Sequence, residues 1–169
     1  VCNTVRSRDM IPAKLQVRRE TGGSDAFLRF IAEELIPRVE REYRVSERRI
    51  LFGNSNSGLF AVYALLVRPC LFQGAIAGSP MIGHCGAFMD EALEDISDTG
   101  AFEGKSLFMI YGGESDYAAC TDFVPAYREK LRTKLPGGFR TSLVPLAGEG
   151  HVPRSTFVRG LRYICSEEG

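Results

Sequence analysis

The chain has 169 residues, about one domain's worth. Hydrophobic residues make up 44% and charged residues 25%, which fits a folded globular domain and excludes a disordered one. Formal net charge is zero, so electrostatics gives no reason to expect nucleic acid or an anionic membrane as partner, and no apolar run approaches the length that spans a bilayer.

The five cysteines (Cys2, Cys70, Cys85, Cys120, Cys165) are scattered and form no C-x-x-C, which argues against a disulfide framework or a zinc site. Reduced thiols in a cytoplasmic setting are the expectation. The sequence opens at Val1-Cys2-Asn3 with neither an initiator Met nor a signal peptide, as a fragment would. Residues 1–23 are polar and irregular and read as an exposed loop, with Gly22-Gly23 as a turn. Ser24 or Asp25 is a suitable N-cap for a helix over Ala26–Tyr43. Its apolar residues Phe27, Leu28, Ile31, Leu35, Ile36, Val39 and Tyr43 share one face, and Pro37 is expected to kink or restart it.

Ile50-Leu51-Phe52 then reads as a buried strand. It breaks at Gly53-Asn54-Ser55-Asn56-Ser57-Gly58 and resumes as an apolar helix over 57–67. A strand turning sharply into a helix around one serine is the setting of a nucleophile elbow, G-x-S-x-G. Ser57 here stands in place of the second glycine. The same six residues also suit an ordinary Gly/Ser turn.

Phe72–Pro80 reads as a second strand ending in a loop, 81–88 as loop, and Met89–Ile96 as a short acidic helix. Lys105–Tyr111 is a third strand, stopped by Gly112-Gly113. Thr121–Lys134 is an amphipathic helix, and Thr141–Leu146 a fourth strand whose Pro145 argues for a sheet edge. Val152–Ile164 closes the chain as a helix. Strands alternating with helices imply one α/β domain built on a parallel sheet with helices on both faces.

Chemistry in such sheets gathers at the carboxyl ends of the strands. Ser55, Ser79-Pro80, Glu114-Ser115-Asp116 and Gly148-Glu149-Gly150-His151 follow the four strands. A serine, an acid and a histidine thus reach one edge in the chain order of an α/β-hydrolase triad. Alone, His151 would read as a solvent-facing residue at a helix start; with Ser55 and the acid it reads as a general base. His84, beside Cys85, has no second ligand in sight and reads as a surface residue, so no metal site is expected.

At this point the chain resembles the esterase D-like α/β-hydrolases, the putative-esterase family, and within it the branch similar to ferric enterobactin (siderophore trilactone) esterases. The segments that carry the resemblance are Arg6–Pro12, Gly22–Ile31, Glu34–Pro37, Arg49–Leu66, Ile76–Pro80 and Gly148–His151. The resemblance implies Ser55 as nucleophile, His151 as base, and an acid within 113–116, where Asp116 suits the spacing best and Glu114 is second. It implies an oxyanion hole using the N–H of Asn56, and Arg6 and Arg8 at the border of the cleft with Glu114 nearby. It implies a small-molecule ester as substrate and no cofactor.

Asn54 and Ser57 depart from the family's usual His and Gly. Family members also carry upstream strands, one loop of which supplies a second oxyanion donor; losing such a donor commonly costs about 10²–10³ in turnover. Without those strands, β-strand 49–53 is expected to be an open edge, which a second copy of the chain could cover as a homo-oligomer. Ester hydrolysis is the leading expectation. A catalytically impaired remnant acting as a binding module, and an acyltransferase, stay open beside it.

Overall fold

Four apolar runs form the sheet in the computed structural model, which describes residues 6–16, 20–113 and 116–166. They are β1 (Ile50–Asn54), β2 (Gly74–Gly78), β3 (Ser106–Tyr111) and β4 (Arg140–Pro145). All neighbours are parallel and lie in the order β1-β2-β3-β4. The register pairs Asn54 with Gly78 and Gly78 with Ile110, so the first three strands end level with one another. β2 and β3 are buried along their whole length. β4 is an edge strand, as Pro145 predicts, because proline has no N–H to offer a further neighbour.

The amino-terminal stretch departs from the exposed loop expected of it. Arg6–Met10 is a short helix, α1, and Ile11 behind it is fully buried. Its polar groups are used internally. Gly22 and Gly23 donate their N–H groups to Ile11 O and Arg8 O, both at 2.8 Å. Burying Ile11 removes apolar surface from water, which stabilises the docked segment by roughly 2 kcal/mol.

Helix α2 (Ser24–Phe30) is preceded by Gly23 at the cap position, not by Ser24 or Asp25. The Ser24 hydroxyl is committed elsewhere, donating to Asp9 O at 3.1 Å, and Asp25 accepts from the Tyr63 hydroxyl. A π-helical turn over Ile31–Leu35 leads into α3 (Ile36–Glu42). Pro37 lies in the first turn of α3, where its missing N–H is harmless. Widening the preceding turn relieves the clash its ring would make with the carbonyl four residues back. The helix is restarted, not ended.

Helices α4 (Asn56–Val67), α5 (Gly86–Glu94), α6 (Ala118–Thr121) and α7 (Val124–Lys134) complete one core. There Leu59, Ala61, Val62 and Met89 meet Ala75, Ala77, Leu107 and Met109 from the sheet. Helix α4 is apolar all round and buried all round. A one-turn helix over Ile82–His84 and the start of α5 occupy the stretch read as loop. Helix α8 (Thr156–Cys165) packs on the opposite face through Ile164, against Ile76, Phe108 and Ile110. It begins four residues later than expected, because 151–155 is a turn that belongs to the site below.

Among the described residues no strand pairs with the outer edge of β1. Phe52 there is 41% exposed, and its ring lies 5.1 Å from that of the exposed Phe157. The open, apolar edge expected from the sequence is present. No helix among the described residues is long and apolar enough to cross a membrane.

Gly160 sets how closely α8 approaches the sheet. A Cβ there would lie 2.7 Å from Ile76 Cγ1, and Ile76 is fully buried with nowhere to move. Gly160→Ala gains about 1 kcal/mol of helix propensity but costs about 1–3 kcal/mol of overpacking. A net loss of about 1 kcal/mol in urea unfolding is expected; a gain would mean α8 is loosely seated.

Candidate active site

Ser55 stands between β1 and α4 with φ +59° and ψ −125°, a conformation that few non-glycine residues adopt. The turn is closed from two sides. The Ser55 N–H donates to Gly78 O at 2.8 Å, and Ser55 O accepts from Leu59 N at 3.0 Å as the first bond of α4. Gly53 supplies the necessary lack of a side chain, since a Cβ there would overlap the Ser57 carbonyl and come within 2.9 Å of Gly58 N. It is the backbone of residue 57 that approaches so closely. The half-exposed Ser57 side chain has room, so serine satisfies a position where glycine is usual.

The second and third strands carry the acid. Asp116 Oδ2 accepts from Ser79 Oγ at 2.6 Å and from Gly112 N at 2.9 Å. Oδ1 accepts from Tyr117 N at 2.7 Å and lies 2.7 Å from His151 Nδ1. The carboxylate is wholly inaccessible to solvent. Burial pushes its pKa up, but the hydrogen bonds from Ser79, Gly112 N, His151 and Tyr117 N outweigh this and hold it below the ordinary carboxylate value. An ionised Asp116 can only accept, so the His151 proton sits on Nδ1 and a neutral ring keeps its lone pair on Nε2. Tyr117 packs edge-on against the imidazole, ring centres 4.6 Å apart.

Two further corners complete the edge. Ser79 has φ +42° and Val152 has φ +65°. The Val152 N–H donates to Ser79 Oγ at 2.9 Å. Ser55, Ser79 and Val152 are the three non-glycine residues with positive φ among the described residues, and each is within one hydrogen bond of the Gly78–Ser79 dipeptide. Strained backbone of this kind concentrates at functional sites.

The remaining expected residues are less uniform. Asn56 opens α4, and the first N–H groups of a helix have no intrahelical acceptor. Its side-chain Oδ1 is buried without a hydrogen-bond partner. Arg6 and Arg8 lie on α1, which packs against α4, and the Arg8 guanidinium grips Asp9 at 2.7 and 3.1 Å. Glu114 lies outside the described residues. His84, read as a surface residue, is half-buried.

The buried Cys120 thiol went unnoticed in the sequence. Its Sγ lies within 4.8 Å of ligand atoms of Asp116 and His151. Three such groups could in principle hold a metal ion. Here the Asp116 oxygens already take four donors, and burial, with the Asp116 charge adding to it, pushes the thiol up to about 12. The protonated thiol lies 3.5 Å from Met81 Sδ, and the cluster is satisfied as a hydrogen-bonded group.

A carboxyl whose folded pKa lies below its unfolded value stabilises the fold above about pH 4, and that contribution is lost as pH falls through the folded value. Asp116→Asn is therefore expected to destabilise by about 1–3 kcal/mol at pH 5, and the gap from wild type to narrow as pH falls below about 4. Urea unfolding across that range measures it; a gap independent of pH would contradict the assignment of the charge to Asp116.

Comparison with known proteins agrees with this fold. The ferri-bacillibactin esterase BesA of Bacillus subtilis (strain 168) is 31% identical over 157 residues, 89% of this chain and 54% of the relative. The chain thus spans about half the length of that relative. The crystal structure of the BES protein from Bacillus cereus superposes with a TM-score of 0.79 at 22% identity, over 99% of this chain and 66% of the other. An IroE-like serine hydrolase from Shewanella oneidensis superposes with a TM-score of 0.74 at 26% identity, over 95% and 57%. The sheet and its flanking helices are thus those of an α/β-hydrolase. The family model described as Putative esterase matches residues 7–117, more than half of the sequence. The chain belongs to the putative esterase family.

Proposed function

We propose that this chain carries the catalytic edge of a serine esterase. Ser55 is the nucleophile, His151 the general base and Asp116 the acid that orients it. The observation that carries the reading is the convergence of the three strained corners on Gly78–Ser79, with His151 Nδ1 2.7 Å from a buried Asp116 carboxylate. Ser55 is tied to Gly78, and the residue after His151 is tied to Ser79. The backbone segments that carry the hydroxyl and the imidazole are thus tied to adjacent residues at one lip of the sheet, which supports their pairing.

The chemistry follows from these atoms. Ser55 Oγ attacks the ester carbonyl carbon while His151 Nε2 takes its proton. Asp116 holds the ring in the correct tautomer and stabilises the imidazolium. The N–H of Asn56 donates to the developing oxyanion, aided by the positive end of α4. The tetrahedral adduct expels the alcohol, which receives the proton from His151. Water, activated by the same nitrogen, then releases the acid and restores Ser55.

The named activity of the Bacillus subtilis relative supports a siderophore-type ester as substrate. Arg6 and Arg8, on the helix packed beside α4, suit the border of such a cleft. The open edge of β1 favours a second reading, in which the chain is a hydrolase-fold binding module with little turnover.

A fluorophosphonate probe separates the two. Labelling of the folded protein at Ser55, abolished in Ser55→Ala, is expected. Hydrolysis of a p-nitrophenyl short-chain ester should fall by about 10³-fold or more in Ser55→Ala and in His151→Ala. Equal labelling of Ser55→Ala would end the nucleophile assignment, and absence of labelling in folded wild type would favour the binding module.

A further inference from the structure

Ser79 has no counterpart among the reacting groups, yet it touches two of the segments that hold them. It is fully buried, immediately beyond β2. Its N–H donates to Ile110 O of β3 at 2.6 Å, which fixes its backbone against the neighbouring strand. Its hydroxyl faces Asp116 Oδ2 at 2.6 Å and Val152 N at 2.9 Å. Only one arrangement of protons satisfies both. The amide can only donate and the carboxylate can only accept, so the hydroxyl gives its single proton to Asp116 and takes the Val152 N–H on a lone pair. The bond to the carboxylate is short and charge-assisted.

The geometry points to Ser79 as a positioning residue that sets the acid and the base of the site in one register through a single hydroxyl. By engaging Oδ2, it turns the carboxylate so that Oδ1 meets His151 Nδ1. By receiving the Val152 N–H, it fixes the left-handed corner directly after His151, and with it the direction from which the imidazole enters. The assignment rests on the triad reading above and deepens it.

A purely architectural role would look different. At φ +42° a glycine is the unstrained choice, and a corner that needed only its shape would be served as well or better by one. What serine adds there is the hydroxyl, and among the described residues that hydroxyl hydrogen-bonds to the acid and to the residue after the base. Among the described residues the other polar neighbours of the carboxylate are the backbone N–H groups of Gly112 and Tyr117, and the titratable neighbours are His151 and Cys120.

Ser79→Gly in the full chain is the informative variant, with Ser79→Ala beside it in case glycine loosens the corner. Turnover of a p-nitrophenyl ester and the rate of fluorophosphonate labelling are measured alongside Ser55→Ala. Both Ser79 variants are expected to lose about 10- to 100-fold in kcat with KM little changed, as small misplacements of catalytic groups do. Carbon-13 NMR of the aspartate carboxyls provides a readout independent of turnover: Asp116 should titrate at higher pH once the hydroxyl donor is gone. Wild-type kcat and an unmoved Asp116 titration in Ser79→Gly, with Ser55→Ala inactive, would overturn the Ser79 assignment and leave the triad reading standing. Full activity in Ser55→Ala would overturn the triad reading and this assignment with it.

Discussion

The whole carboxyl edge of the sheet hangs on the dipeptide Gly78–Ser79. Gly78 O receives the N–H of Ser55, and Ser79 Oγ bridges Asp116 and Val152. Three separate stretches of chain, after β1, after β3 and before α8, thereby meet at two adjacent residues. None of the three is held there by apolar packing alone. Each arrives through a hydrogen bond made by a residue with little or no side chain in the way, and three of the residues involved pay for it in backbone strain. The energy that supports this strain comes from below. β2 and β3 are buried on both faces, and α4 runs straight from the strained turn into the core.

That arrangement also explains how a carboxylate survives without solvent. A buried anion is unfavourable unless its lone pairs are filled. Asp116 fills them with two backbone N–H groups, one hydroxyl and one imidazole, and stays ionised. The adjacent Cys120 thiol responds in the opposite sense, kept neutral by burial and by the nearby negative charge. Among the described residues, one buried anion is thus matched to several donors, and His151 is the titratable donor among them, as the proposed role of general base requires.

Much of this was legible in the residues. The four strands, their parallel order and the edge position of β4 follow from short apolar runs separated by helical periodicity and from Pro145. His151 and an acid within 114–116 were legible as a pair because loops following parallel strands share an edge, while the preference for Asp116 over Glu114 came from the family resemblance. The burial of Ile11 was not, because a polar segment with one anchoring residue has no periodicity to reveal it. The cap of α2 was misjudged for a related reason: Ser24 and Asp25 hydrogen-bond to Asp9 and Tyr63, partners distant in sequence, in place of the local backbone. The use of Ser79 was equally hidden, since a serine after a strand has no local signature separating a turn residue from one that bridges two loops. Ser57 looked like a defect in the elbow until its backbone, and not its side chain, proved to be the atom set facing Gly53.

The outer edge of β1 is the part of the fold least provided for, with the exposed Phe52 and Phe157 rings tilted against each other and no strand beside them among the described residues. The proposed catalytic serine directly follows the same strand, and its geometry can be tested at Ser55 itself. A crystal structure of the phosphonylated protein does so most directly. The account predicts phosphorus bonded to Ser55 Oγ, His151 Nε2 within about 3.2 Å of an oxygen of the adduct, and Nδ1 still on Asp116. An adduct at Ser55 with the imidazole turned away and no loop movement able to bring it back would contradict it.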